Sequence, residues 1–531
     1  MSALRRAHTR RQTEAPTGGS LMRFPSRTLG ALALAALSSA ALAPAAARAD
    51  GPHRPWGDAS EVKRPHFIVQ CNAGRDHRIA TQYADFLEKN WSRLRGHELF
   101  KKHRWRYAGP SKVYIFAYGQ EFLDITNTPP GVGGYFFAAG SLQFGAPEYD
   151  RLLATYHGSF TATGGTLHIL AHEGTHQFQH GICEGDHDDW MVRPTWWVEG
   201  LATYFGDGVR FDRKGGTRVD IPRDRLAHLQ ALVRQRGLVP LRDLVRTPHA
   251  LYDGFYYSQG WGLCYYLLHR GGQNKSAPVT IGKKKVDLFK ALQQFSDAVI
   301  LERAPEAAKK ASLAEAGPDP RPAAEHYASK LEVALGVPWE DLQPDYEKFI
   351  LSLKLPKLGK VVGNVFTSDA KAAGDLAVWL EAVKPADAKW RFDETSVQGD
   401  EAIRIDNAHT TGLVRVEVDG NGLEVDLEVA ADEAEKRAAY WLDTPLFERR
   451  EALDLPCGKA YELVYTGKER LPPDGPGGSR VREKEQRVRH VVIVTARRIY
   501  HVVCQADSDR FAENEAAFDE VLKKFKILPE S

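Results

Sequence analysis

The sequence predicts an α+β chain in two parts: a domain over residues 60–357 with a small mixed sheet plus helices, and a smaller α/β sandwich over 358–531. Three observations carry that reading. Short apolar runs bounded by glycines occupy the chain up to about residue 150, helical periodicity dominates from there to Leu355, and strand-like alternation follows until a last helix. The 531 residues, 43% hydrophobic and 26% charged, exclude a disordered or collagen-like protein and leave room for two domains.

Ahead of the first domain, Arg23 and Arg27 precede an apolar stretch from Leu29 to Ala47 that runs into Ala47-Arg48-Ala49. A basic start, a short apolar core and a small-x-small site read as a secretory signal peptide over residues 1–49, with Met22 as the working initiator. An uncleaved anchor is the alternative. The whole chain has a formal charge of +2, but seven arginines and only one acid, Glu14, lie in residues 1–49. The remainder therefore carries an acidic excess, which argues against nucleic acid as the main partner. No later run approaches about 18 apolar residues, so no stable membrane span is expected in the mature chain.

In the first domain, His66–Gln70 reads as a strand, Ile79–Leu94 as an amphipathic helix and Lys112–Ala117 as a second strand. Short strands are expected at 134–137 and 142–144, so this region is a small mixed sheet with one helix. After Gly164-Gly165 a helix is expected over 166–180, then a solvated acidic loop from Glu184 to Asp189, then a helix opened by Pro194-Thr195. Further helices fit 223–236, 257–269, 286–296, 322–335 and 339–353, with a loop from Gly317 to Pro322.

In the second domain, Val414, Val416 and Val418 alternate with charges, Asp419–Gly422 supplies turn residues, and Leu423–Val429 alternates again. Ala460–Tyr465, Val488–Thr495 and Tyr500–Cys504 are further strands, and Leu471–Ser479 is a loop. Phe518, Val521, Leu522 and Phe525 mark one face of a closing helix. Five cysteines without a CxxC pair do not form a disulfide framework; Cys457 with Cys504 is the one candidate bridge, against the plainer reading of small buried side chains.

The segment that carries chemistry is His168-Ile169-Leu170-Ala171-His172-Glu173-Gly174-Thr175-His176-Gln177. Two histidines four apart on a helix face the same way and can reach one tetrahedral Zn²⁺. Glu173 sits about 100° around that helix, where a carboxylate can act on a water without ligating the metal. A third ligand is available in Trp196-Trp197-Val198-Glu199-Gly200-Leu201-Ala202-Thr203-Tyr204, where Glu199 is the lone acid on an apolar helix and is costly to bury without a partner. Two His, one Glu and an open fourth position make a catalytic rather than a structural zinc site. His180, one turn past His176, reads as a surface or supporting residue.

These residues resemble the gluzincin metallopeptidases of the peptidase MA-like kind, in which HExxH is followed by a helix of W-x-x-E-G-x-A-x-Y type. The resemblance covers about residues 64–353 and includes Val113–Phe116, Gly133-Gly134-Tyr135 and Tyr257-Ser258-Gln259-Gly260-Trp261. It implies a zincin-like fold, one Zn²⁺ per chain held by His172, His176 and Glu199, and Glu173 as general base. It also implies a donor to the oxyanion, for which Tyr257 is the first choice and Tyr256 and His249 are alternatives. The likeness takes in exported bacterial members, so a secreted or periplasmic protein of the cell envelope with a peptide or protein substrate is expected. The second domain weakly resembles PsbP-like α/β/α sandwiches, which bind or dock. Two other readings stay open: a non-catalytic envelope scaffold that keeps the fold, and a zinc amidase acting on a cell-wall amide.

Overall fold

The computed structural model describes residues 60–529 except 73–76, 118, 127, 129–131, 139–150, 158–159, 162–163, 208, 212–216, 220, 250–251, 253, 273–275, 313–320, 356–358, 369–378, 394–400, 408, 421–425, 472–481 and 497. The signal segment, the strand expected at 142–144 and the loop at 471–479, all but Leu471 itself, lie outside these residues. So does the loop expected at Gly317–Pro322, except that Arg321 and Pro322 open a helix.

Alternating and fully apolar runs build a five-stranded sheet from β1 (Ser60–Lys63), β2 (Phe67–Cys71), β3 (Ser111–Phe116), β4 (Gly134–Phe137) and β5 (Leu152–Tyr156), in the order β1-β2-β3-β5-β4. β2, β3 and β5 run parallel, and the two edge strands are antiparallel. Every residue of β5 is buried, as expected for an inner strand covered on both faces. Helix α1 (Arg78–Gly96) joins β2 to β3 and packs Ala80, Tyr83, Ala84, Leu87 and Leu94 inward. Where the sequence suggested a single helix, a second, α2 (Gly119–Thr126), follows β3. Its two turns are too short for periodicity to register, and it is held by Phe122 against Phe116 and Tyr156.

Helix α3 (Thr166–Ile182) starts where the Thr166 hydroxyl donates to the carbonyl of Tyr156 at the end of β5. It is buried on nearly all sides. The expected acidic loop is solvated at Glu184, Asp186, His187 and Asp188, but from His187 it forms a short helix, α4 (His187–Met191): Asp186 caps it by accepting from the amide of Asp189, whose carboxylate accepts in return, and Asp189 is fully buried. Helix α5 (Thr195–Gly206) follows Pro194, and all twelve of its residues are buried. Next come α6 (Arg223–Gln235), α7 (Leu241–Leu244) and α8 (Gly254–His269), and then helices at Leu288–Leu301, Glu306–Ser312, Arg321–Leu335 and Trp339–Ser352. Trp196, Trp197, Trp261 and Tyr266 fill the core they share.

After Ser352 helix gives way to strand from Gly359 onward. A four-stranded sheet takes Gly359–Val362, Val365–Ser368, Leu380–Val383 and, from the far end of the chain, Lys526–Ile527; a seven-stranded antiparallel sheet carries helix Leu427–Trp441 on one face and helix Phe511–Lys524 on the other. The faces alternate along Arg482–Val494: Val488 and Val492 meet the first helix, and Val491 and Ile493 meet the second. The strand expected over Leu423–Val429 is corrected. Residues 423–425 lie outside the described residues, and 427–429 form the first turn of the first helix, because Asp426 accepts from the Val429 amide as an N-cap. Behind it, Ala430, Ala434 and Ala438 at four-residue spacing give the helix its buried face. Cys457 and Cys504 are both free thiols, so the candidate bridge is not formed. Taken together, the described chain is a mixed α+β structure of several small sheets and helices. No helix among the described residues is long and apolar enough to cross a membrane.

Candidate metal centre

Three helices and one edge strand converge on a single point. Helix α3 presents His172 and His176, with Nε2 atoms 3.1 Å apart and rings 4.8 Å between centroids. Helix α5 brings Glu199, whose Oε2 lies 3.4 Å from His172 Nε2 and 3.3 Å from His176 Nε2. Two glycines allow this approach. A Cβ on Gly206 would stand 2.8 Å from the His172 Cα, and one on Gly200 would stand 2.7 Å from the Gly260 carbonyl oxygen of α8. With side chains at either place, α5 could not lie close to both helices.

The three donor atoms fit a metal. A tetrahedral ion with bonds near 2.1 Å holds its ligand atoms about 3.4 Å apart, and the triangle here has sides of 3.1, 3.3 and 3.4 Å. Two imidazole nitrogens at 3.1 Å cannot both present lone pairs without a proton or cation between them. Glu199 Oε2 is buried with no hydrogen-bond partner, and among the described residues this is the one group of three or more ligating side chains able to hold a metal ion. Burial would raise the Glu199 carboxyl, but His176, His172 and His249 hold it well below the usual carboxylate range. Burial would likewise lower His172, yet Glu199, Glu173 and Asp207 draw it up to about 9. The pocket is therefore built to stabilise positive charge.

Glu173 points from α3 toward the edge strand. Gly134 of β4 leaves room for it: a Cβ there would lie 3.3 Å from Glu173 Cγ and 2.4 Å from an Ile169 methyl. The Phe136 amide donates to the carboxylate. Burial raises the Glu173 carboxyl above its ordinary value, with the two histidines acting in the opposite direction. A carboxylate with a raised proton affinity, one residue from a ligand, is suited to taking up and releasing a proton.

The expected donor Tyr257 lies within reach. Its hydroxyl bonds Glu199, and its ring centroid is 6.2 Å from that of His172. His249 Nε2 is 3.6 Å from Glu199 Oε1. Tyr256 turns aside and stacks on Tyr252 at 5.4 Å, so the structure brings together Tyr257 and His249 but not Tyr256. His180 is neither a surface residue nor a ligand. It is buried, stacked on Tyr107 at 5.5 Å and edge-on to Trp190, and burial and nearby cations lower it to about 3.

One residue escaped the sequence. Asp207, just past the end of α5, sets Oδ1 3.9 Å from His172 Nδ1 and is itself buried. At that distance the carboxylate acts on the imidazole through its charge, which raises the basicity of the ring. In the sequence Asp207 is indistinguishable from an ordinary helix-end residue.

No family model and no curated protein matches the chain. Solved structures share partial similarity. A crystal structure from Bacteroides thetaiotaomicron is 13% identical over 32% of this chain, at a TM-score of 0.21. The match takes in half of that chain's length. Cyanobacterial PsbP from Synechocystis is 15% identical over 32% of this chain and 98% of its own, at 0.22. LpqN, involved in cell envelope biogenesis of Mycobacterium tuberculosis, is 13% identical over 28% of this chain and 84% of its own, at 0.21. Likeness at this level assigns neither fold nor function.

Proposed function

We propose that the chain is an exported zinc-dependent metallopeptidase of the gluzincin type, with a zincin-like first domain, acting on peptide or protein substrates. The observation that carries this reading is the donor triangle of His172, His176 and Glu199 with Glu173 buried beside it. A scaffold that merely held a metal would have no use for Glu173, a buried carboxyl with raised proton affinity next to the ligands.

His172, His176 and Glu199 would hold the ion, and Zn²⁺ in such a site supplies Lewis acidity toward a carbonyl oxygen and makes a water more acidic. The chain's own residues do the rest. Glu173 accepts a proton from the attacking water and returns it to the nitrogen of the departing amine. The Tyr257 hydroxyl and the His249 ring, both beside Glu199, donate to the oxygen that gains charge. Asp207, 3.9 Å behind the His172 ring, makes that imidazole more basic through its charge. β4, an edge strand of its sheet among the described residues and close to Glu173, offers backbone groups with which an extended peptide can pair.

The test is elemental analysis of the purified chain paired with cleavage of an unstructured protein. One zinc per chain is expected in both wild type and Glu173→Gln, with cleavage reduced by about 10²–10⁴-fold in the variant. Equal cleavage by the two proteins would remove Glu173 from the mechanism.

A further inference from the structure

We propose that Arg225 is a positioning residue of the metal site, holding Asp207 and the Tyr257 ring in the places from which the one acts on the His172 imidazole and the other presents the donor hydroxyl. This rests on the zinc reading above and goes beyond the ligands and the general base. Arg225 is the third residue of α6 and is 9% exposed. Its Nε and Nη2 each lie 3.0 Å from one oxygen of Asp207, Oδ2. That leaves Oδ1 as the oxygen turned to His172 Nδ1. The same guanidinium carbon stands 6.0 Å from the centroid of the Tyr257 ring.

Three elements therefore meet at one side chain: the end of α5 through Asp207, α8 through Tyr257, and α6 itself. A buried ion pair is weak support for stability, since its attraction little more than offsets the cost of removing both charges from water. Its value here lies in direction. A planar guanidinium grips one carboxylate oxygen with two N–H groups held in a fixed fork while lying near an aromatic ring, whereas a lysine ammonium is a point charge without that fixed direction. The start of α6 is itself anchored, because Arg223 donates to the Glu401 carbonyl of the strand-rich half at 2.6 Å. The clamp is thus set on a fixed post.

The experiment uses the full chain as wild type, Arg225→Met, Arg225→Lys, Asp207→Asn and the Arg225→Met/Asp207→Asn double variant. Zinc affinity is read by competition with a chromophoric chelator, and the melting midpoint is read on the zinc-free protein. Arg225→Met is expected to weaken zinc binding about 10- to 100-fold. Arg225→Lys, which keeps the charge without the fork, should recover part of that loss. The double variant should bind zinc no more weakly than Asp207→Asn, because Arg225 acts through Asp207. A melting midpoint that drops in Arg225→Met while zinc affinity stays at the wild-type value overturns the proposal, as do fully additive losses in the double variant. If Arg225→Met does not fold, Arg225→Lys decides: unchanged affinity overturns, and a several-fold loss supports. Zinc bound without cleavage sinks the peptidase reading alone, whereas a wild type that takes up no zinc sinks both.

Discussion

Among the described residues two histidine pairs bring ring nitrogens close together, one beside carboxylates and one beside arginines. In α3 the Nε2 atoms of His172 and His176 are 3.1 Å apart; in the strand-rich half His490 Nε2 lies 2.9 Å from His501 Nδ1. The first pair comes from one helix at four-residue spacing, and the second from adjacent antiparallel strands, on a face covered by Leu427–Trp441. What differs is the surrounding charge. Glu199, Glu173 and Asp207 encircle the first pair and draw His172 upward. Burial, His501, Arg437 and Arg415 push His490 far below its ordinary value, while Glu417, opposite His501 in the strand register, is engaged by Arg415 and Arg437. On the proposed reading, two imidazoles hold a metal only where carboxylates supply the negative charge that a dication needs. Elsewhere they are polar core.

The largest expected effect tests that contrast directly. Glu199→Ala should lose zinc and all cleavage, while His501→Leu should keep one zinc per chain; elemental analysis of both proteins decides. Zinc loss in the second variant would mean that the strand-rich pair takes part in binding.

A smaller effect sharpens the first pair's surroundings. Tyr257→Phe should reduce kcat about 10²-fold with zinc content unchanged, as for removal of one donor to a developing oxyanion. If steady-state kinetics show the larger loss in His249→Asn instead, the two donors exchange rank.

The smallest concerns acid. His180 is lowered to about 3 by burial and nearby cations, and His490 is lowered too. Such groups stay neutral in the fold but gain protons in the unfolded chain below about pH 6.5, so the unfolded state binds more protons and stability falls as pH drops. For His180 the window runs from about pH 6.5 down to about 3, and the cost over it is a few kcal/mol. Melting curves from pH 7 to 4 should show this decline, and His180→Phe should flatten it. An unaltered slope in that variant would show that His180 does not resist protonation.

Much of this was legible in the chain. HExxH at 172–176, the helix of Glu199 and the strands at 67–71 and 111–116 follow from spacing, because helical and extended periodicities are local properties. Three things were not. Helix α2 is two turns long, too short for a period to stand out. Residues 427–429 alternate like a strand, yet one capping carboxylate, Asp426, commits them to a helix whose apolar face lies further on. Asp207 and Arg225 sit among ordinary helix-end residues, and only the packing of α5, α6 and α8 joins them to His172 and Tyr257.

By itself the sequence determined which side chains can ligate and which can move a proton, since two histidines four apart and a carboxylate next to the first share a helix whatever surrounds it. The sequence offered Glu199 as the third ligand, and the tertiary structure brought it within 3.4 Å of both histidines, set Tyr257 and His249 rather than Tyr256 beside it, and surrounded His490 with arginines instead of carboxylates. The physical reason is that a metal site is a balance of charge and distance among groups far apart in the chain. That balance depends on how closely α3, α5 and α8 pack, which here rests on Gly200, Gly206 and Gly260.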